Sequence, residues 1–287
     1  MASVAFWGMQ HGLGVTSNIA AIAASLAQDY RLRSLITQPQ FNDHTLEWAF
    51  RTSMSRHNQE YLNKDGMMTG SGMDGLERAV RSSKLERESI KNNTLVVDPD
   101  KLDLLQGSSK TSLSQFENSQ DIMEIVLQRA KEYYDTVLID VHSGTNNSMI
   151  HTIMNNADMI IVCVDQNIHV LNKFFKEREQ WPVFLQNKPH MLMIGKYDPN
   201  SKYRIKNIAN KYGYKEKILT IPYNAGFKDH YNDGDVKGFV SRNINVGKYD
   251  ENYFFIQETR RAVQTILTEI GINTQVKHVD SLEKGVS

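Results

Sequence analysis

Short continuous apolar runs alternate with longer segments of helical spacing along most of the chain. Runs at Ser3–Trp7, Leu32–Thr37, Thr136–Val141, Met159–Val164, Met191–Gly195 and Lys217–Ile221 have strand length, and either Leu95–Val97 or Leu102–Leu105 supplies one more. Helical spacing runs through Ser17–Gln28, Gln115–Tyr133, Ser148–Asn156, Val170–Trp181, Tyr203–Tyr212 and Glu251–Ile270. Strands that are Val/Ile/Leu-rich on both faces, with helices between them, predict an α/β fold: a mostly parallel central sheet with helices on both faces. The rhythm breaks from Phe41 to Asn93, which reads as an irregular insertion with an exposed Gly/Met-rich loop at Asp65–Gly72. A single domain over residues 1–272, carrying that insertion at about 41–93, is expected. The polar stretch 273–287 reads as a mobile C-terminal tail.

Composition narrows the uses of such a domain. Lys plus Arg and Asp plus Glu number 33 each in 287 residues, so no global field draws the chain to nucleic acid or anionic lipid. The one cysteine, Cys163, lies inside an apolar strand and reads as a buried core thiol rather than a nucleophile. No apolar run has the length of a membrane span, and the N-terminus has no charged segment leading into a cleavable apolar one. A cytoplasmic protein with no integral membrane segment is expected, peripheral at a membrane only through a partner.

The most informative segment is Gly8 to Asn18, G-M-Q-H-G-L-G-V-T-S-N, between the first strand and the first helix. A glycine turn there leaves backbone N–H groups pointing into one concavity at a helix N-terminus, which favours an anion. Gly12, Leu13, Gly14, Val15, Thr16 and Ser17 are the expected phosphate cradle. Thr16 and Ser17 stand where a Walker A loop carries the hydroxyl that reaches Mg²⁺, but Val15 stands where its lysine belongs. The glycine spacing also fits a short-chain dehydrogenase, and two tests go against that reading. The second strand ends Leu35-Ile36-Thr37-Gln38-Pro39, with no acidic or basic residue for a ribose. None of the twelve tyrosines has a lysine four positions later, as that chemistry requires. A second element supports the phosphate loop. Thr136-Val137-Leu138-Ile139-Asp140 is an apolar strand ending in a carboxylate, with Gly144 shortly after, the Walker B order in which the Asp approaches Mg²⁺.

Other chemistry is weaker. No His pair has metal-ligand spacing, and His142-Ser143 beside Asp140 lacks the Gly-x-Ser-x-Gly elbow of a hydrolase. Arg78, Arg81, Lys84 and Lys91 line one side of a predicted helix, diluted by Glu77, Glu86 and Glu88. Lys202 to Lys217 mixes cations with tyrosines and offers a DNA-tracking surface, although the solvated side of a helix burying Ile205 and Ile208 reads as well. The last helix carries Arg260-Arg261 beside an apolar stripe that suits docking on the domain's own core better than a membrane.

Taken together, the loop and the strand-Asp-x-x-x-Gly motif resemble the ParA/MinD branch of the P-loop NTPases over roughly Met1 to Ile270. Leu192 to Asp198 resembles that family's strand leading to the base site. Ile221-Pro222-Tyr223-Asn224, Phe227-Lys228-Asp229 and Gly234-Asp235-Val236 resemble its late Ile-Pro region. The Walker A is degenerate, most similar to the divergent TadZ/CpaE subset. Gln10 and Val15 replace its two lysines, Thr37 and Pro39 fall where it has Asp-x-Asp, and Gly195 falls where an Asn often reads adenine. The resemblance implies ATP or ADP with Mg²⁺ held by Thr16 and Asp140, a homodimer, and slow or absent hydrolysis. It implies a positioning or assembly factor whose client is a pilus, secretion or conjugation machine. A DNA-segregation ATPase and a nucleotide-free scaffold are the competing uses of the same fold.

Overall fold

The computed structural model describes residues 1–40, 44–58, 71–110, 119–145 and 147–277. Eight strands form one sheet: β1 (Ala2–Gly8), β2 (Ser34–Thr37), β3 (Leu95–Asp98), β4 (Leu102–Leu105), β5 (Thr136–Asp140), β6 (Met159–Val164), β7 (His190–Tyr197) and β8 (Ile218–Pro222). Their spatial order is β3-β4-β2-β5-β1-β6-β7-β8. Every pairing is parallel except the edge hairpin β3–β4. Leu95–Val97 and Leu102–Leu105 are therefore both strands, joined through Asp100 in a left-handed conformation (φ 62°).

Alternation along β1 sorts the core. Val4 and Phe6 join one apolar cluster, while Ala5 and Trp7 join the cluster on the opposite face. The first face is covered by α1 (Val15–Asp29), with α2 (Thr45–Ala49) and α3 (Arg51–His57) beside it. The second face takes α4 (Gly72–Arg81), α5 (Ser89–Asn92), α6 (Gln120–Tyr133), α7 (Ser148–Asn156), α8 (Ile168–Lys176), α9 (Val183–Asn187) and α10 (Ile205–Tyr212). The chain then returns to the first face with α11 (Ala225–Asn232), α12 (Val236–Arg242) and α13 (Tyr253–Glu269). Helix α1 is buried almost all round, because Ala20, Ala21, Ala23, Ala24 and Ala27 let it lie close to the sheet and to α12 and α13. Alanine also has the highest helix propensity, so local preference and packing agree.

Three expectations change. The segment from Phe41 to Asn93 is not merely irregular: α2 and α3 place Leu46, Ala49, Phe50 and Met54 in one cluster, and Met73, Leu76 and Ile90 enter the other. Asp65–Gly70 of its expected loop lies outside the described residues, and Gly72 begins α4. The cationic stripe is not one helix face. α4 ends at Arg81, which pairs with Glu77 (2.8 Å), while Lys91 belongs to α5 and pairs with buried Asp103 (2.7 Å). Within the expected tail, Thr274–Lys277 forms one more helical turn, α14, and 278–287 lie outside the described residues. No helix among the described residues is long and apolar enough to cross a membrane.

The last long helix docks on the core, as its pattern suggests. Arg260 of α13 donates through Nε and a terminal N–H to both oxygens of Asp29 at the end of α1, each at 3.0 Å. Asp29 is nearly buried, so loss of its partner leaves a carboxylate with little solvent to replace it. Arg260→Ala should lower unfolding free energy by about 1–3 kcal/mol, read as a lower urea midpoint with unchanged slope. An unmoved midpoint would show that the pair carries no weight.

Candidate functional site

Strand β1 lies between β5 and β6; the chain runs from β1 toward β2 on one side and from β5 across β1 to β6 on the other, so a crevice opens at the carboxyl end of β1. The glycine loop fills that edge. Gly12 (φ 85°) and Gly14 (φ 79°) are in the left-handed region, where a Cβ is strained, and Gly14 caps α1 with no side-chain cap on the first-turn amides. The loop is tied to its neighbours by main-chain bonds. Val141 N–H donates to Phe6 O (2.9 Å), Gly144 N–H donates to Gly8 O (3.0 Å), and the Trp7 indole donates to Gly144 O (2.8 Å).

A cavity of about 350 Å³ lies over the loop. Gly12, Gly14, Val15, Thr16 and Ser17 line it, with Asp140, so those expected residues converge. Leu13 does not: its side chain is apolar and points into the core beside Ala5 and Trp7. Val15, in the lysine's place, is also buried, and its Cγ2 lies 3.1 Å from where a Cβ on Gly8 would stand. The Ser17 hydroxyl donates to Gly14 O (3.0 Å), within the loop itself.

Three further residues of this wall escaped sequence reasoning, Gln40, Thr45 and Tyr231, and a fourth, Lys196, comes from the Leu192–Asp198 run expected to lead to a base site. Gln40 and Gln38, next to Pro39 and Thr37 in sequence, meet the Asp140 carboxylate. Thr37, the last residue of β2, is buried with its hydroxyl unpartnered, whereas the side chains of Gln38 and Gln40 both reach Asp140. Gln38 Nε2 donates to Asp140 Oδ2 (3.0 Å), while Gln40 Nε2 donates to Asp140 Oδ1 and to its main-chain O (both 3.3 Å). Leu46 N–H donates to Gln38 Oε1 (3.0 Å), which sets the orientation of that amide. The Gln-x-Gln spacing after an apolar strand was the available signal, since alternate positions share a side.

Lys196 is exposed at the end of β7 in a left-handed conformation (φ 50°), and its ammonium donates to Gly12 O (3.2 Å). Lys196, Ser17 and Tyr231 also border a second cavity of about 310 Å³, walled by Asn18, Ile221, Pro222, Tyr223, Asn224, Phe227 and Lys228. One polar hollow over the loop thus adjoins one with apolar walls. At the floor, Asn18 and Gly195 meet: a Cβ on Gly195 would stand 2.8 Å from Asn18 Nδ2 and 3.0 Å from Leu13 O. Asn18 also donates to Cys163 Sγ (3.6 Å). Burial pushes that thiol up to about 12, so it stays protonated and inert near neutral pH, in keeping with a core role.

His11 and His142 meet edge to face, with centroids 4.8 Å apart, and His142 Nδ1 lies 2.8 Å from Ser143 O. No group of three or more His, Cys, Asp or Glu among the described residues is arranged to hold a metal ion. The cation-rich stretch from Lys202 to Lys217 is partly spoken for: Lys202 and Lys211 lie over the Tyr203 ring (5.3 and 5.9 Å), and Lys217 pairs with Glu269 (2.5 Å). Ile208 is buried and Ile205 packs beside the core, the arrangement of a solvated surface helix.

The fold has counterparts among solved structures. A ParA family ATPase from Chlorobium tepidum TLS superposes with a TM-score of 0.65 at 13% identity, over 92% of this chain and 97% of that one. The fold is that of ParA/MinD ATPases. The septum site-determining protein MinD from Pyrococcus horikoshii OT3, complexed with Mg-ADP, gives 0.65 at 11% identity over 92% and 96%. A putative plasmid partition protein from Borrelia burgdorferi B31, bound to AMPPNP, gives 0.57 at 13% identity over 93% and 99%. No protein-family model and no curated protein matches the sequence. The ParA/MinD-like fold is thus present at 11–13% sequence identity to these structures.

The contact of Gly195 with the loop is testable without a ligand. Gly195→Ala must displace Asn18 and the Leu13 carbonyl, and overpacking of this kind typically costs about 1–3 kcal/mol. Thermal and urea unfolding should both report the loss. A variant as stable as the parent would contradict the close approach of β7 to the loop.

Proposed function

We propose that this chain binds a nucleotide, ATP or ADP, at the β1–α1 loop and uses it as a state signal rather than as fuel. The observation that carries the reading is the left-handed pair Gly12 and Gly14 at the head of an uncapped helix, opening on two adjoining hollows of different polarity. Main-chain amides and the helix dipole suit phosphates, and the walls of Ile221, Pro222 and Phe227 suit a base. Hydrolysis is a different demand. Phosphoryl transfer depends on positioning and charge neutralisation, and each lost electrostatic contact costs roughly 10²–10³ in rate. Val15 carries no charge, and Gln38 and Gln40 cannot accept a proton from water as a carboxylate can.

A weak or absent turnover on a ParA/MinD-like scaffold suits a homodimeric positioning or assembly factor. Its client would be a component of a pilus, secretion or conjugation machine. The neighbours named for plasmid partition and septum-site determination support a positioning role in outline. The client comes from the resemblance to the TadZ/CpaE subset. A DNA-segregation role needs a free cationic surface, and the pairing of Lys217, Arg81 and Lys91 counts against the two stretches that offered one.

Isothermal titration of the full chain with ATP and with ADP should give saturable heat. Thr16→Ala, which removes the hydroxyl at the cavity wall, should weaken it by about threefold to tenfold, the net worth of one hydrogen bond. Silence at millimolar nucleotide would leave only the scaffold reading. Phosphate release should stay at the background of a no-enzyme control; brisk release would mean that the uncharged residues at Val15, Gln38 and Gln40 are not what limits turnover. A salt-dependent gel shift on random duplex DNA tests segregation, and retention of the duplex at low salt would restore that use.

A further inference from the structure

The nucleotide reading leaves open how the ligand's negative charge is met, and the cavity wall bears on this in two places. The fold implies Mg²⁺ reached through Asp140, directly or through water, and such an ion is held by hard oxygen ligands that include carboxylates. Asp140 is fully buried, and each of its carboxylate oxygens accepts from a glutamine amide: Oδ2 from Gln38 Nε2 at 3.0 Å, Oδ1 from Gln40 Nε2 at 3.3 Å. The Gln38 amide cannot turn round, because Leu46 N–H donates to its oxygen, and a flip would set donor against donor and oxygen against carboxylate. Amide donors also add no negative charge to attract a cation. The other expected ligand, Thr16, offers a neutral hydroxyl. This donor set does not fit a Mg²⁺ site built on Asp140.

A cation is present instead on another element. Lys196 holds its backbone at φ 50°, a conformation unfavourable for a residue with a Cβ, and from there its ammonium reaches Gly12 O in the phosphate loop. An ammonium has three donors, of which that contact uses one. Among the described residues no carboxylate lies within ion-pair distance of Lys196. The residue borders both hollows, where the phosphates and the rest of a nucleotide would meet. We propose that Lys196, arriving from the end of β7, supplies the positive charge for the phosphates of a nucleoside di- or triphosphate, and that this chain binds its ligand without a divalent metal. The inference rests on the nucleotide reading and specifies its charge partner.

Titration of the full chain with ADP, once in excess Mg²⁺ and once in EDTA, tests it. Affinity should agree within about threefold between the two buffers. Lys196→Ala should weaken binding by about tenfold or more in both, as expected for loss of a charge-assisted hydrogen bond, and Lys196→Arg should recover most of it. A tenfold loss on chelation, or an alanine variant that binds like the parent, would overturn the proposal while leaving the nucleotide reading standing. No heat in either buffer would remove that reading and the proposal with it. Thermal unfolding with Mg²⁺ alone gives an independent arm. The parent should not respond, whereas Gln38→Asp, which sets a second carboxylate against Asp140, should gain stability with the metal. A parent chain stabilised by Mg²⁺ alone would count against the amide-sealed Asp140.

Discussion

The end of β1 governs the geometry of the site. Trp7 is buried to 1% exposure, yet its indole N–H still needs a partner, and it finds one in the Gly144 carbonyl at 2.8 Å. Gly144 N–H closes the other side onto Gly8 O. Two bonds thus fasten the turn after β5 to the mouth of the glycine loop, and Gly144 makes them from a left-handed conformation (φ 87°). Because β5 and β1 are register-locked, with Phe6 opposite Asp140, fastening the turn also fixes Asp140 beneath the loop. The helix that follows the loop is held at its far end by Arg260 on Asp29. A row of donors is useful to an anion only if it does not have to be reorganised on binding, and both ends of this one are anchored.

Much of this was legible in the pattern of residues. Strands apolar on both faces named a parallel sheet, and the β1 and β6 runs correspond closely to the strands observed. Glycines before a Thr-Ser pair at the head of an alanine-rich helix marked the loop, because only a left-handed turn there explains their spacing. What failed to show has physical causes. Short helices such as α2 and α3 give too few turns for periodicity to stand out, so a packed segment looked irregular. The walls drawn from Thr45, Lys196 and Tyr231 come together through topology, from parts of the chain far apart in sequence, and no spacing rule links them. Gln38 and Gln40 reach Asp140 from positions next to Thr37 and Pro39, and which way a residue beyond a strand end faces depends on the backbone and not on the motif.

The uncharged side chains around the loop and Asp140 make electrostatic sense as a set. Val15 brings no positive charge to the loop, and the amides of Gln38 and Gln40 keep negative charges from gathering around Asp140. Carboxylates in place of those amides would face Asp140 and need a metal or a proton to coexist with it. A fully buried acid persists only where donors meet its oxygens. The glutamines answer both needs, since each amide nitrogen reaches a carboxylate oxygen, and the Gln38 oxygen accepts from Leu46 N–H. The side chains at the loop and around Asp140 are thus mutually consistent.

Asn18 and Gly195 extend the same logic to the neighbouring hollow. A side chain at position 195 would collide with the floor of the loop, so β7 can approach only as glycine, and the amide of Asn18 fills the space from the α1 side. Any shift of α1 must then alter both hollows together, because Ser17, Asn18 and Lys196 are shared by or border them. The polar hollow and the apolar one thus share a single buried helix in their walls. Helices α11 and α12 pack against α2 and α1 respectively, so the covering layer rests directly on the helix that borders both hollows.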